Sequence, residues 1–184
     1  WDIKSVQRLE EYGLQAYKIA SADLTYHDLI NVLLKTKKPL ICSTGMCLED
    51  EIKMAVNLIN KAGSPFVFLH CNSTYPAPFK DINLSYIKRL KEITGSTVGY
   101  SGHERGYAIP IAAVSLGARV IEKHLTMDHN MEGNDHRASL LPNDFASMVQ
   151  SIREVEKSLG MGKKKIISQG EMMNREILGK SLSI

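Results

Sequence analysis

The sequence has 184 residues, 43% hydrophobic and 23% charged, a balance that allows a buried core and excludes a disordered or fibrous chain. Its net charge of +3 is too small to point to nucleic acid, because the one basic cluster, Lys163 to Lys165, reads as a solvated loop. No stretch reaches the roughly 20 apolar residues of a membrane span, and Cys42, Cys47 and Cys71 lack zinc-ligand spacing, so they read as small core residues in a reducing cytoplasm.

Residues 2–12 have the pattern of a helix. Short aliphatic segments then recur at 17–21, 39–43, 66–70, 97–101 and 120–124, and helical patterns fill the intervals at 26–35, 48–61, 84–93 and 106–116. In the second of these, Ile52, Val56 and Ile59 repeat at helix spacing and Gly63 reads as the stop. A further helix is expected at 142–159, followed by a basic loop. Strands alternating with helices of this length make an α/β fold with a parallel sheet, since a parallel connection has to cross over the sheet.

An open doubly wound sheet and a closed barrel repeat the same unit but place their polar residues differently. In a barrel, strand after strand delivers chemistry at its C-terminal end. Here all five do, through Ser21 and Asp23, Ser43 and Thr44, His70 with Asn72 and Tyr75, Ser101 with His103, and Glu122 with His124. This favours a TIM-type (β/α)8 barrel. Such a barrel takes about 250 residues and eight strands. Residues 1–177 are therefore expected to be its last five βα units without the first three strands, and 178–184 to open a linker to a further domain.

Several of these residues carry an ordinary reading beside a chemical one. His103 and His124 end neighbouring strands, where two neutral imidazoles suit a divalent metal with open positions, or else are simple hydrogen-bonded residues. Glu122 lies on the same strand face as His124, and a carboxylate pointing into a barrel has to be paired or functional. Ser43, Thr44, Gly45 and Met46 link a strand to a helix start, where hydroxyls and N–H groups suit a phosphate or make a plain N-cap. Lys18 stands on a strand of small and apolar residues, either meeting an anion or snorkelling outward. The loops 72–78, rigid around Tyr75, and 128–136, rich in polar residues, are substrate loops or surface loops.

Taken together, the segments resemble the sialic acid synthase family. The stretches YKIASADLT (17–25), KPLICSTGM (38–46), FLHCNSTYPAP (68–78), VGYSGHERG (98–106), IEKHLTMD (121–128) and MEGNDHRASL (131–140) keep the family's order and spacing over nearly the whole chain. GKSL (179–182) resembles the linker before the family's antifreeze-like domain. The resemblance implies a transferase that condenses phosphoenolpyruvate with an N-acetylated amino sugar such as N-acetylmannosamine and releases phosphate. It implies His103 and His124 as ligands of manganese, magnesium or cobalt. Lys18, Ser21, Ser43, Ser73 and Ser101 match positions that hold phosphoenolpyruvate, and Asp23, Tyr75 and Asp135 match positions that face the sugar. Family members also carry glutamate where Asp23 stands and asparagine where Ser73 stands. Lys18, Tyr75 and Glu122 are the catalytic candidates.

The family's residues from early strands and from a partner subunit's C-terminal domain in a homodimer are absent here, so this segment alone is expected to be inactive. Two other readings compete. One is another metal-dependent barrel enzyme, an aldolase or a sugar-phosphate synthase using phosphoenolpyruvate. The other is a binding protein that kept the barrel and lost its chemistry, against which stands the cost of retaining inward polar groups without use.

Overall fold

The structure is a computed structural model and describes residues 2–160 and 162–180. Five strands, β1 (Tyr17–Ile19), β2 (Leu40–Ser43), β3 (Phe66–Cys71), β4 (Val98–Gly102) and β5 (Ile121–Lys123), form one sheet in chain order. Every neighbouring pair is parallel. Helices α1 (Ile3–Glu11), α2 (His27–Lys35), α3 (Glu49–Ala62), α4 (Tyr86–Thr94), α5 (Ala108–Ser115) and α6 (Pro142–Leu159) carry the chain around the outside.

The sheet is curled, and one contact measures the curl. Lys18 on β1 and Glu122 on β5 lie 3.5 Å apart, although these strands are the two edges of the sheet. Neighbouring strands sit about 4.8 Å apart, so a flat sheet would separate the two backbones by about 19 Å. Side chains of those lengths meet only if the sheet bends into an arc, as the wall of a (β/α)8 barrel does.

The core lies between the convex face of that arc and the helices. Ile19, Leu40, Cys42, Phe68 and Tyr100 from the strands pack there with Ile30 and Leu33 of α2, Ile52 and Ile59 of α3, and Ile87 and Leu90 of α4. Within each helix the named residues are three or seven positions apart, which puts them on one face. Gly63 ends α3 in the left-handed region at φ 69°. A smaller cluster of Val114, Leu140, Met148 and Ile152 seals α5 against α6. Cys42 and Cys71 are buried, Cys47 partly so, and all three are free thiols.

Two local expectations change. The first strand stops at Ile19 and turns into a 3₁₀ segment, Ser21–Asp23, rather than running to residue 21. After the basic loop comes a helix, α7 (Gln169–Leu178), that the hydrophobic pattern did not indicate because none of its residues is buried. The signal was there in another form: Ser168 Oγ accepts from the Glu171 N–H, and Glu171 Oε2 accepts from the Ser168 N–H, a reciprocal capping box. No described helix is long and apolar enough to cross a membrane. Residues 181–184, in the expected linker, lie outside the described residues.

Candidate active site

The concave face holds a cleft of about 700 Å³. Its lining includes Lys18, Ser21, Ser43, Ser73, Tyr75, Ser101, His103, Glu122, His124 and Asp135, each from the C-terminal end of a strand or the loop after it. Sequence reasoning named all of these. Asp23 is not among the lining residues, because the 3₁₀ turn takes the chain out of the strand pattern that would have kept it on the face of Ser21.

One wall is a cradle of hydroxyls and a cation. Ser21 Oγ accepts from the Gly45 N–H at 3.0 Å. A Cβ on Gly45 would stand 2.1 Å from Ser73 Oγ and 2.8 Å from Ser21 Oγ, so with glycine here the turn approaches both hydroxyls more closely than any larger residue would allow without moving them. Ser43 is 2% exposed, and its Oγ has no hydrogen-bond partner among the described residues. An orphaned buried hydroxyl is costly unless a ligand supplies its partner. Lys18 does not snorkel outward: it faces the cleft and pairs with Glu122, which also accepts from Ser101 Oγ at 2.7 Å.

The other wall is aromatic. Tyr75 lies over the His103 ring at 4.1 Å, and His124 stands edge-on to His103 at 5.1 Å. His103 Nδ1 donates to the Asn72 carbonyl at 2.7 Å, while Asp135 Oδ2 is 3.7 Å from His124 Nδ1. Burial lowers the His124 pKa, and the neighbouring charge of His103 lowers it further. Burial acts on His103 in the same sense, but the Cys71 thiol and the Asn72 carbonyl outweigh it and hold that ring above the usual histidine value.

Cys71 is buried, as the reading of the cysteines expects, and lies beneath the cleft without lining it. It is 7% exposed, and its sulfur lies 3.6 Å from Ser21 Oγ, 3.7 Å from His103 Nδ1 and 3.9 Å from Ser73 Oγ. Its register partner on β4 is Ser101, a signal that becomes readable only once the strands are aligned. Conversely, His70 and Thr44 end their strands without serving the cleft. His70 bonds the Ile82 carbonyl at 2.6 Å, and Thr44 Oγ1 donates to the Leu69 carbonyl at 3.0 Å.

Residues 129–134 and Arg137 line a neighbouring pocket with Arg105, Tyr75 and Pro76. Tyr75 therefore borders both cavities.

A sequence model of the NeuB family matches residues 1–164. The chain belongs to the NeuB family. It is 43% identical to N,N'-diacetyllegionaminic acid synthase of Campylobacter jejuni over 99% of this chain and 55% of that one. It is 37% identical to human N-acetylneuraminate-9-phosphate synthase over 98% of this chain and 50% of that one. The crystal structure of N-acetylneuraminic acid synthetase from Leptospira borgpetersenii, solved with citrate, superposes with a TM-score of 0.88 at 36% identity, covering 98% of this chain and 64% of that one. The resemblance read from the six motifs is thereby borne out, and so is the barrel architecture. The chain spans about half the length of the curated relatives it matches.

For this NeuB family chain, the donor set decides whether a metal fits. Among the described residues, no group of three or more His, Cys, Asp or Glu side chains is arranged to hold a metal ion. Two imidazoles do face one cleft, and His103 has the outer hydrogen bond, Nδ1–H to a backbone carbonyl, that metal-ligating histidines nearly always make. That bond leaves Nε2 as the lone-pair nitrogen. By their chemistry the two imidazoles suit a divalent metal as a partial donor set, the other positions being left to groups other than these side chains.

Proposed function

We propose that the protein containing this chain is a nonulosonic acid synthase that joins phosphoenolpyruvate to the open-chain aldehyde of an N-acetylated amino sugar and releases phosphate. The observation that carries this reading is the pairing of two unlike walls in one cleft: Lys18 with serine hydroxyls on one side, and His103 with His124 on the other. The first suits a small dianion, the second a polarised carbonyl. The relatives' names, which include legionaminic acid and N-acetylneuraminate-9-phosphate synthases, support the same class.

In this reading Lys18 and the hydroxyls of Ser21, Ser43, Ser73 and Ser101 bind the phosphate and carboxylate of phosphoenolpyruvate. Tyr75 and Asp135 face the sugar and orient its aldehyde toward the methylene carbon of phosphoenolpyruvate. His103 and His124 would hold a divalent metal, manganese, magnesium or cobalt, which would supply Lewis acidity to the aldehyde. The new C–C bond forms from that methylene carbon, and the aldehyde oxygen gains a proton. Water then adds to C2 of the former phosphoenolpyruvate, and cleavage of the C–O bond to phosphate leaves the keto acid.

Glu122 suits the role of accepting the proton that the water gives up. Its Oε1 takes both Ser101 and Lys18, and among the described residues Oε2 makes no hydrogen bond. The arc of five strands would be closed into an eight-stranded barrel by three more strands between β5 and β1, which would complete the far side of the cleft.

The test is phosphate release by the full-length protein with phosphoenolpyruvate, Mn2+ and N-acetylmannosamine, beside His124→Ala. Release that requires both sugar and metal and disappears in the variant is the expected result. No release with that sugar, nor with diacetylated amino sugars, would refute the synthase assignment.

A further inference from the structure

Behind the two histidines, three polar side chains are sealed in the protein, and none of them lines the cleft. Lys123, the residue before His124, and Glu104, the residue after His103, form an ion pair at 3.0 Å with both side chains at 0% exposure. Lys123 Nζ also donates to the Glu104 backbone carbonyl. Tyr100 OH donates to Glu104 Oε2 at 2.6 Å. The strand gives way to make room: a Cβ on Gly102 would meet Glu104 Oε1 at 2.7 Å and Tyr100 Cε1 at 2.9 Å.

Such an ion pair is weak evidence for stability, since an apolar pair of the same volume often does as well. Its position suggests a different use. The β4–β5 ladder ends with Gly102 opposite Lys123, so His103 and His124 are the first residues beyond it. Their carbonyls turn to other segments, accepting from Ala77 and Leu140. The bonds from Lys123 to Glu104 are thus what ties the two strand ends to each other just where the imidazoles diverge from the sheet.

We propose that Lys123, Glu104 and Tyr100 are positioning residues that fix the spacing and angle of His103 and His124 for a shared divalent metal. The proposal rests on the metal reading given above. Loss of such outer-shell partners typically weakens metal binding by about 10- to 100-fold.

The test titrates Mn2+ alone into the full-length protein, following free Mn2+ by its electron paramagnetic resonance signal, with no substrate present. The Lys123→Met/Glu104→Leu double variant removes both charges at similar volume. It is expected to stay folded, at a somewhat lower thermal midpoint because the buried Tyr100 hydroxyl loses its acceptor, while its Kd for Mn2+ rises about 10-fold or more. His124→Ala is titrated beside it. If His124→Ala binds like the parent, the metal reading itself fails. If His124→Ala loses binding while the folded double variant stays within about two-fold of the parent, well short of the outer-shell effect, the metal reading stands and the positioning role is overturned. Should the double variant not fold, Tyr100→Phe decides: a raised Kd with an unchanged circular dichroism spectrum supports the role, and an unchanged Kd overturns it.

Discussion

Ser101 donates to Glu122 Oε1 at 2.7 Å across the β4–β5 ladder, where the two residues are register partners. The same oxygen lies 3.5 Å from Lys18 Nζ, so the cation in the cleft already has a carboxylate to leave before it can serve an incoming anion. Lys18→Met is expected to weaken phosphoenolpyruvate binding by roughly 10- to 100-fold, the worth of a charged hydrogen bond of about 1.5–3 kcal/mol. Glu122→Gln should bind at least as tightly as the parent while turnover falls. Calorimetric titration of phosphoenolpyruvate checks both variants, and a Lys18→Met protein that binds normally would remove Lys18 from the anion site.

Ser43→Ala should move stability and binding in opposite directions. Its hydroxyl is buried and without a partner among the described residues, so deleting it removes a penalty of about 1–3 kcal/mol and leaves the thermal midpoint unchanged or higher. Phosphoenolpyruvate affinity should drop by roughly 10- to 100-fold, the worth of one hydrogen bond to a charged group, about 1.5–3 kcal/mol. A destabilised variant with normal affinity would show that the hydroxyl has a purely internal role.

Gly45→Ala tests how closely the β2–α3 turn approaches the serines. The added methyl would meet Ser73 Oγ, Ser21 Oγ and Cys71 Sγ at 2.1, 2.8 and 3.2 Å, so the turn has to retreat and the Gly45 N–H loses its bond to Ser21. A cost of about 1–3 kcal/mol in urea denaturation is expected from overpacking, together with a loss of anion binding. Unaltered binding would mean that the cradle tolerates a shift of this size.

His70 predicts how stability responds to acid. The ring is 7% exposed, Nε2 donates to the Ile82 carbonyl, and Tyr86 and Tyr100 pack against it. Burial holds its pKa below the ordinary 6.5, although the Ile82 and Asn83 backbone bonds pull the other way. On acidification the unfolded chain therefore takes up the proton first. The contribution of His70 is fully present above pH 6.5 and is lost as pH falls toward the lower folded value. Thermal midpoints measured from pH 7.5 down to 5 should fall more steeply for the parent than for His70→Gln. Parallel curves would show that His70 carries no such linkage.

The sheet and most of the cleft were legible in the sequence because they rest on local pattern. Each strand is a short aliphatic run, and each polar residue of the cleft lies in one or in the loop that follows it. What escaped depends on relations between distant segments. Asp23 left the cleft because a 3₁₀ turn replaced the last strand residues, and His70 faced Ile82 because a strand-end histidine can point either way. Cys71 is buried as expected, but only the alignment of β3 with β4 shows that its sulfur lies close to Ser21 and His103. Glu104 and Lys123 are not singled out by the sequence, because nothing in the chain between them shows that each is the other's counterion.

Tyr75 forms the partition between the cleft and the neighbouring pocket that holds Arg105 and Arg137, and the same ring rests on His103. Knocking out that wall to admit a bulkier acceptor would therefore also unseat a histidine. On the proposed synthase reading, changes in acceptor size would be coupled to the histidine end of the cleft, and substitutions in residues 129–134, which line the neighbouring pocket, would alter the space beside it without disturbing the stacked pair.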